Sequence, residues 1–372
     1  MAISKLLNSS KEHNIAVEEI IKGLIKTKIL DSIIIPKRTP EKNFIYQVIH
    51  KTEESLANTV AFAPILPVNT ATLLAKLTKF TQSEEKVGVI LKPCEMRAVV
   101  EMVKLKQINL ENIYLLTVDC NGTFDIEYYS KENKKTELEQ KLLNSFKEGT
   151  QIEDIRQACK LCNNMIPTST SDIGIEIFGN DSGAIVLTAY SEKGEELLNS
   201  ISGLEDYNTD NRQKNIEAII NNKIEIKENF LTNFQEEVSG VENLTKFFSK
   251  CINCHNCMSQ CPICICQECF FESSTFDYES EQLLSWADRQ GVLKMPTDTL
   301  LFQLGRMNHM ITSCVACGMC SQACPVGIDV GSIFLLTAKN AQAVFDYEAG
   351  RSFEDEIPIS TFREDELKDL GE

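Results

Sequence analysis

The sequence lacks several motifs that would announce a function directly. It contains neither G-x-G-x-x-G nor G-x-x-x-x-G-K-[ST], so nothing supports a Rossmann or P-loop nucleotide site. It also lacks the G-x-S-x-G elbow of hydrolases and the H-E-x-x-H helix of zinc proteases. Its 4 histidines are scattered along the chain. A Rossmann or P-loop nucleotide site, hydrolysis by either of these two motifs and a histidine-bound metal therefore find no support.

Basic charge and long apolar runs are scarce as well. The formal net charge is −17, which argues against nucleic acid, because phosphate binding needs a basic patch. No stretch approaches the run of about 20 apolar residues that a membrane helix needs. Residues 1–10 lack the apolar core of a signal peptide. We therefore expect a cytoplasmic protein that binds no nucleic acid and is not an integral membrane protein.

Cysteine is what the chain has in quantity, with 15 residues. A secreted chain would use such a number for disulfides, but the spacing here points to metal, which goes with reduced thiols. Two runs share the pattern C-x2-C-x2-C-x3-C-P of bacterial [4Fe–4S] ferredoxins. They are Cys251-x2-Cys254-x2-Cys257-x3-Cys261-Pro262 and Cys314-x2-Cys317-x2-Cys320-x3-Cys324-Pro325. A zinc-bearing scaffold is the alternative for a lone C-x2-C pair, but two complete runs disfavour it.

The spacing within each run assigns the ligands. Three thiolates on one tight loop can each reach a different iron of one cube, while the fourth leaves the loop and caps the other cube. The first predicted cluster is held by Cys251, Cys254, Cys257 and Cys324. The second predicted cluster is held by Cys314, Cys317, Cys320 and Cys261.

The two runs are separated by residues 270–313, which is longer than a minimal ferredoxin requires. Apolar residues in this insert recur at helical spacing, as in Leu300, Leu304 and Met307. The arrangement resembles the all-helical ferredoxin module of fumarate reductase iron–sulfur subunits and heterodisulfide reductase small subunits. We expect an all-helical C-terminal domain over residues 236–345.

The N-terminal half reads as an α/β domain over residues 1–235. Buried strands are predicted at 87–91 and 113–118 with a helix between them, so the two strands are expected to be parallel neighbours. Cys94 and Cys120 each follow one of these strands, at the sheet edge where α/β folds bind ligands. A C-x2-C pair, Cys159 and Cys162, comes later. Four cysteines are enough for a third cluster, and ordinary buried thiols are an equally open interpretation.

The spacing does not decide the role of three further cysteines, of His255 or of the C-terminal tail. Cys264, Cys266 and Cys269 exceed the number that two clusters need, and they can bind another metal, replace an assigned ligand or pack as thiols. His255 lies inside the first cluster loop, where it either tunes the cluster by hydrogen bonding or is exposed. Residues 346–372 form an acidic tail, predicted to be a docking segment or disordered.

Taken together, these motifs resemble the beta-subunit family of deazaflavin-coenzyme-reducing hydrogenases and formate dehydrogenases. The branch it resembles carries its own C-terminal two-cluster ferredoxin domain. The matching N-terminal segments are Lys92-Pro93-Cys94, Asp119-Cys120-Asn121-Gly122-Thr123, Arg156-x2-Cys159-x2-Cys162, Asp172-Ile173-Gly174 and Ser191-Glu192-Lys193-Gly194-Glu195. The C-terminal ones are Cys261-Pro-x-Cys264-x-Cys266-x2-Cys269-Phe270-Phe271-Glu272 and Phe345-Asp346-Tyr347-Glu348-x-Gly350-Arg351-Ser352.

The resemblance implies a third [4Fe–4S] cluster held by Cys94, Cys120, Cys159 and Cys162. It also implies a bound FAD, with Lys92, Pro93, Asn121 and Gly122 near it. Such a subunit exchanges a hydride between a deazaflavin coenzyme or NAD(P)H and FAD. It relays single electrons to a partner such as a formate dehydrogenase, a hydrogenase or a heterodisulfide-reductase-like complex.

A flavin-free iron–sulfur relay is the alternative function. Many family members carry a Gly-Gly pair in an N-terminal loop near the flavin. This chain has only the isolated Gly23 and Gly88 before Gly122, which favours the alternative. No catalytic residue is assigned from the sequence.

Overall fold

The computed structural model describes residues 3–9, 11–41, 44–148, 150, 152–179, 184–207, 210–291 and 298–362. Its N-terminal half is built on a mixed sheet of eight strands in the order β3-β2-β4-β5-β6-β7-β1-β8. The strands are β1 Ile3–Asn8, β2 Ser32–Arg38, β3 Ile45–His50, β4 Val87–Leu91, β5 Ile113–Val118, β6 Ile173–Glu176, β7 Ala184–Ala189 and β8 Glu205–Asp206. Strands β2, β4, β5 and β6 run parallel, and the other pairings are antiparallel.

Helices surround this sheet and form the regular structure that follows it. Those of the first part are α1 His13–Lys26, α2 Thr70–Thr78, α3 Pro93–Lys104, α4 Ile126–Lys131, α5 Lys135–Glu148, α6 Gln157–Lys160, α7 Glu192–Ser200 and α8 Asp210–Val238. Those of the second part are α9 Val241–Phe247, α10 Asn256–Ser259, α11 Ser280–Gln290, α12 Thr299–Met310, α13 Met319–Gln322 and α14 Val330–Val344. None of the helices in the described part of the chain combines the length and the apolar character needed to cross a membrane.

The sheet separates two hydrophobic cores. Along β4, Val89 and Leu91 point into one core and Ile90 into the other, because successive side chains of a strand face opposite ways. Both faces are covered, which explains why the central strands are continuously apolar. The core that contains Val89 continues without interruption into α14 and the cysteine-rich region. The two parts of the chain therefore share one apolar interior.

The predicted pairing of strands 87–91 and 113–118 is confirmed. Val87 pairs with Ile113 and Leu91 with Thr117 in a parallel ladder. Helix α3 is the crossover, and it begins at Pro93, where a missing N–H is tolerated and φ is already helical. The carboxyl ends of β4 and β5 thus lie side by side.

The second part of the chain has helices, short 3-10 turns and loops as its described structure from residue 241 to 362. Residues 292–297 of the predicted helical insert lie outside the described residues. Helix α8 crosses the predicted domain limit at residue 235, and its Leu231, Phe234 and Val238 pack into the shared core. The limits at 235 and 345 stay predictions.

The first part of the acidic tail is folded against α3 and is not disordered. Tyr347 Oη donates to Glu101 Oε1 at 2.5 Å, and Gly350 N donates to the same oxygen at 2.8 Å. Lys104 Nζ lies 2.8 Å from Glu101 Oε1, so the buried carboxylate is also paired in charge. Glu101 is fully buried. The tail is consequently fastened to the helix that carries Cys94; residues 363–372 lie outside the described residues.

We expect Glu101→Gln to destabilise the protein and release the tail. The change leaves Lys104 as a buried charge without its partner, which costs about 3 kcal/mol or more. The exposed pair between Glu228 and Lys339 is the matched control, and Glu228→Gln should cost under about 1 kcal/mol. Thermal unfolding and limited proteolysis near residue 350 measure the two effects. Equal behaviour of the two variants would contradict the role of Glu101.

Candidate metal centres

The four cysteines of the N-terminal half surround one cavity. Cys94 lies in the first turn of α3, and Cys120 follows β5 directly. Cys159 lies in α6 and Cys162 just beyond it. All four line the same cavity, which we call the N-terminal cavity. The sheet edge and the C-x2-C segment thus bring together thiols that are up to 68 residues apart in sequence (162 − 94).

Backbone hydrogen bonds hold the loops that carry these thiols. Cys120 N donates to Met165 O at 2.9 Å, which ties the end of β5 to the segment after α6. Arg156 N donates to Thr123 O at 2.9 Å and opens α6. Glu95 accepts from Lys92 N at 2.9 Å and so caps the turn that contains Cys94. The segments that carry Cys94, Cys120 and Cys159 are therefore each held by a hydrogen bond from a backbone N–H.

Buried cations surround the N-terminal cavity. Lys92, Arg156 and Lys223 all line it, and each is buried. The Arg156 guanidinium lies 3.5 Å from Cys159 Sγ and donates to Thr123 Oγ1 at 2.8 Å. Lys223 Nζ lies 3.4 Å from Cys159 O. Buried cations are stable only beside negative charge, and a cube held by four thiolates supplies it.

The thiols of this cavity differ in acidity. Burial raises the pKa of Cys94, Cys120 and Cys162 above the ordinary thiol value. Burial also acts on Cys159, but the Arg156 charge and the Thr123 hydrogen bond outweigh it and lower the pKa of Cys159. Metal binding must therefore displace protons from most of these thiols.

A second cavity is lined by the four cysteines assigned to the second cluster. They are Cys261, Cys314, Cys317 and Cys320. Burial raises the pKa of Cys314 to about 12 and that of Cys317 to about 11. The arrangement fits the exchange of the fourth ligand between the two runs, since Cys261 comes from the first run.

The two C-x2-C-x2-C loops share an unusual backbone. In the first loop Asn253 and His255 have φ of 55° and 58°, and at the equivalent positions of the second loop Ala316 and Gly318 have φ of 55° and 70°. Left-handed φ is uncommon outside glycine, so the same pair of turns in both loops marks one loop design used twice. The third cysteine of each loop lies in a short helix, Cys257 in α10 and Cys320 in α13. The first run therefore has the loop geometry of the second.

Donors point at the sulfurs of the first cluster loop. Arg306 of α12 donates from Nη1 to Cys257 Sγ at 3.0 Å and from Nη2 to Cys257 O at 3.1 Å. Its guanidinium also lies over the rings of Phe302 and Phe334, at 5.6 Å and 4.8 Å. Gln303 Nε2 lies 3.8 Å from Cys251 Sγ. No described contact joins Cys324 to these thiols, so its place in the first cluster stays a prediction.

The three cysteine groups adjoin one another. Cys317 lines both the second cavity and the N-terminal cavity. A Cβ placed on Gly318 would lie 2.3 Å from Ala158 Cβ, so the second cluster loop touches α6. Arg306 lines the second cavity and bonds to Cys257, which links it to the first loop. The order in space is the N-terminal cavity, the second cluster site and the first.

The three additional thiols divide by exposure. Burial raises the pKa of Cys264 to about 12. Cys269 Sγ lies 3.7 Å from Met258 Sδ, whereas Cys266 is exposed. Within the described ranges, no three His, Cys, Asp or Glu side chains form a group that could hold a single metal ion. The alternatives given above for Cys264, Cys266 and Cys269 stay predictions.

The residues assigned to the vicinity of a flavin line the cysteine cavity itself. They are Lys92, Pro93, Asn121 and Gly122. Lys92 Nζ donates to Ala63 O at 2.7 Å, and Asn121 Nδ2 donates to Ser145 Oγ at 2.5 Å and to Thr150 O at 3.1 Å. These donors are already used within the protein. Both N–H groups of the Asn121 amide are thus engaged, whereas the Lys92 ammonium keeps two further N–H groups. The placing of these four residues near a flavin stays a prediction.

Sequence reasoning missed Arg306, Lys223 and Arg212. Lys223 lies within a charged helical pattern that predicts only a solvated face. Arg212 lies 3.2 Å from Oδ2 of Asp119, the residue just before Cys120. The same oxygen accepts hydrogen bonds from Ile177 N and Phe178 N. A lone basic residue in an apolar stripe, as at Arg306, is the only signal that was available.

Comparison with known proteins finds two family models that match parts of the chain. Residues 84–214 match the family model for the C terminus of the beta subunit of coenzyme F420 hydrogenase/dehydrogenase. Residues 247–328 match a 4Fe-4S dicluster domain, which confirms the predicted [4Fe–4S] clusters in this region. Individual ligands within it stay predictions.

Two curated relatives cover most of the chain. The F420-dependent formate dehydrogenase subunit beta of Methanocaldococcus jannaschii is 29% identical over 353 residues, with 86% of this chain and 87% of the relative covered. The F420-dependent formate dehydrogenase 1 subunit beta of Methanococcus maripaludis is 28% identical, with 92% of each covered. A chain in a structure of the F420-reducing [NiFe] hydrogenase complex from Methanosarcina barkeri is 12% identical. It aligns with a TM-score of 0.45, covering 65% of this chain and 94% of that one.

We expect Arg306→Gln to lower the reduction potential of the first cluster. Removing a buried positive charge from beside Cys257 disfavours the more negative, reduced form. A shift on the order of 60 mV corresponds to tenfold in a one-electron equilibrium. Arg306→Lys keeps the charge and should shift the potential less. A redox titration followed by electron paramagnetic resonance measures both, and unchanged potentials in both variants would refute the assignment.

Gly318→Ala should destabilise the contact between the second cluster loop and α6. The new Cβ meets Ala158, whereas Gly327 has a similar φ of 71° and open space around its Cβ position. Gly327→Ala therefore carries only the backbone cost, about 1 kcal/mol. Thermal unfolding of the cluster-loaded protein compares the two. Adding Ala158→Gly to Gly318→Ala should restore part of the loss, and no restoration would disprove the contact.

Proposed function

Since the chain belongs to the beta-subunit family of coenzyme F420 hydrogenases and dehydrogenases, we propose that this oxidoreductase subunit relays electrons through three [4Fe–4S] clusters. The third would be held by Cys94, Cys120, Cys159 and Cys162. The observation that carries the proposal is the position of Cys317, which lines two cysteine cavities at once. Centres with a common wall can pass electrons without any movement of the chain.

The clusters, when bound, supply reversible one-electron storage. The chain positions their ligands and sets the surrounding charge. Arg156 and Lys223 place positive charge against the N-terminal cavity, and Arg306 does so at Cys257. Such charges favour the more negative, reduced state of a centre and so raise its potential. Cys257 is buried and most of the other thiols are half-buried, which limits the access of water to the sulfurs.

We further propose that FAD exchanges a hydride with a soluble carrier at one end of this series. The family implies the flavin, and the relatives' names point to F420 as the carrier, with NAD(P)H as the other candidate. A formate dehydrogenase catalytic subunit is the partner that those names favour. A hydrogenase or a heterodisulfide-reductase-like complex fits the same role. No residue of this chain is assigned to the flavin.

A flavin-free relay is the second candidate function. The use of both N–H groups of the Asn121 amide within the protein favours it. In that case the subunit only connects two larger enzymes, and the hydride chemistry takes place in another chain.

Anaerobic analysis of iron, acid-labile sulfide and released FAD separates these functions. Three cubes with a flavin should give about 12 iron and one FAD per chain. About 12 iron without FAD would favour the flavin-free relay, and about 8 iron without FAD would leave only the two clusters of the ferredoxin domain.

The same assay applied to variants locates the third cluster. Cys159→Ala should remove about 4 iron, the content of one cube. Met165→Leu is the matched control, because Met165 lines the same cavity without being a proposed ligand. An unchanged iron content in Cys159→Ala would show that the N-terminal cavity holds no cluster.

A further inference from the structure

The first cluster loop opens onto an apolar surface. Cys254 is exposed, although it is a predicted ligand. Ile252 beside it is 59% exposed, and Phe270 is 57% exposed. We call the surface formed by Ile252, Cys254, Cys266 and Phe270 the cluster-1 face. Ile252 is two residues from Cys254 in sequence, and Phe270 follows Cys269, whose Sγ lies 3.7 Å from Met258 Sδ of the first run. Exposed apolar side chains beside a predicted ligand indicate a surface for another molecule.

Aromatic contacts join this face to the cluster loop. Phe270 packs against Phe271 at 5.3 Å between ring centroids, and Phe271 packs against Phe302 at 5.3 Å. Phe302 in turn stacks on His255 of the cluster loop at 4.1 Å. The exposed ring of Phe270 is therefore connected to the first cluster loop through Phe271 and Phe302.

Helix α11 follows this aromatic group in the chain and has little packing of its own. None of its residues is buried, and Leu284 is 67% exposed. Its described aromatic contact is that of Trp286 with Tyr278, at 5.2 Å. Tyr278 follows Phe276, which packs on Phe270 at 5.0 Å. An isolated helix of this length is only marginally stable in water, so contact with a partner would stabilise α11.

Acidic side chains border the surface. All of those from Glu268 to Asp288 are exposed, and we call them the acidic rim. They are Glu268, Glu272, Asp277, Glu279, Glu281 and Asp288. Glu272 is close enough to His255 for its charge to act on that imidazole. An apolar centre with a charged rim is the usual anatomy of a protein interface.

We propose that the cluster-1 face docks a redox protein whose electron-transfer centre lies under an apolar patch ringed by Lys and Arg. The proposal rests on the relay function, since it places the exit of the relay at Cys254. The acidic rim selects a basic partner, because opposite charges steer the encounter and like charges oppose it. A second copy of this chain would bring two acidic rims together.

Cytochrome c is a suitable probe, because it presents an apolar haem edge within a ring of lysines. The cluster-loaded chain is reduced with dithionite, freed of excess reductant and mixed with ferric cytochrome c in a stopped-flow instrument. One electron then passes from the chain to each ferric haem, which becomes ferrous. The rate should fall as salt concentration rises.

The double variant Glu268→Lys/Glu272→Lys should slow this transfer about tenfold at low salt. Glu127→Lys/Glu137→Lys is the matched control, because it makes the same charge change at exposed sites of α4 and α5. The control should slow transfer less than about twofold. Equal slowing by the two double variants would overturn the proposal, since net charge alone would then explain the rate.

The apolar centre is tested separately. Phe270→Ser should slow transfer at high salt, where steering is screened, whereas Phe80→Ser at an 82% exposed site should not. Equal rates in the two variants would overturn the apolar contact. Sedimentation analysis of the same proteins reports self-association, and a dimer abolished by Phe270→Ser would show that a second copy occupies the face instead.

Failure of the relay itself gives a different result. If dithionite does not bleach the visible absorbance of the iron-loaded chain, no electrons enter, and both the relay and the docking proposal fall. If the chain bleaches normally but the rim variants match their control, the relay stands and only the docking proposal falls.

Discussion

The parallel pairing of β4 with β5 is the constraint on which the rest depends. It brings the ends of two strands to one edge and so places Cys94 beside Cys120. Helix α6 then adds Cys159 to the same cavity. Gly318 of the second cluster loop packs closely against Ala158 of that helix because glycine has no Cβ to clash with the alanine methyl group. A different strand order would separate the thiols and remove the surface on which the ferredoxin region sits.

Charge balance is the second condition. Buried cations such as Arg156 and Arg306 are unfavourable by themselves and are explained by what they face, which is sulfur. Their positions also differ in kind. Arg156 is next to its thiol in sequence, three residues before Cys159, whereas Arg306 comes from a helix 49 residues away from Cys257. The fold thus supplies positive charge at both ends of the series by unrelated routes.

Much of this arrangement follows from the sequence. The β4–β5 pairing could be predicted because apolar runs of strand length flank a helical segment. The two clusters of the ferredoxin region could be predicted because the geometry of a [4Fe–4S] cube dictates the spacing of its cysteine ligands. The position of Arg306 could not, since its importance arises only from packing between Phe302 and Phe334. The folding of the tail against α3 could not be predicted either. Its acidic composition suggests a segment exposed to solvent. Its actual position depends on hydrogen bonds from Tyr347 and Gly350 to Glu101, a buried carboxylate about 250 residues earlier.

The fastening of the tail bears on how quickly the protein can work. Arg97 donates to Ala349 O at 3.0 Å and to Val315 O at 3.3 Å, and Gln322 donates to Leu66 O at 2.7 Å. These bonds clamp the ferredoxin region to the sheet domain from both sides of the second cluster loop. Many redox proteins shuttle a tethered domain between donor and acceptor, and solvent viscosity then limits their turnover. Bonds of this kind oppose such a swing, so the proposed relay would depend on fixed spacing and not on solvent viscosity.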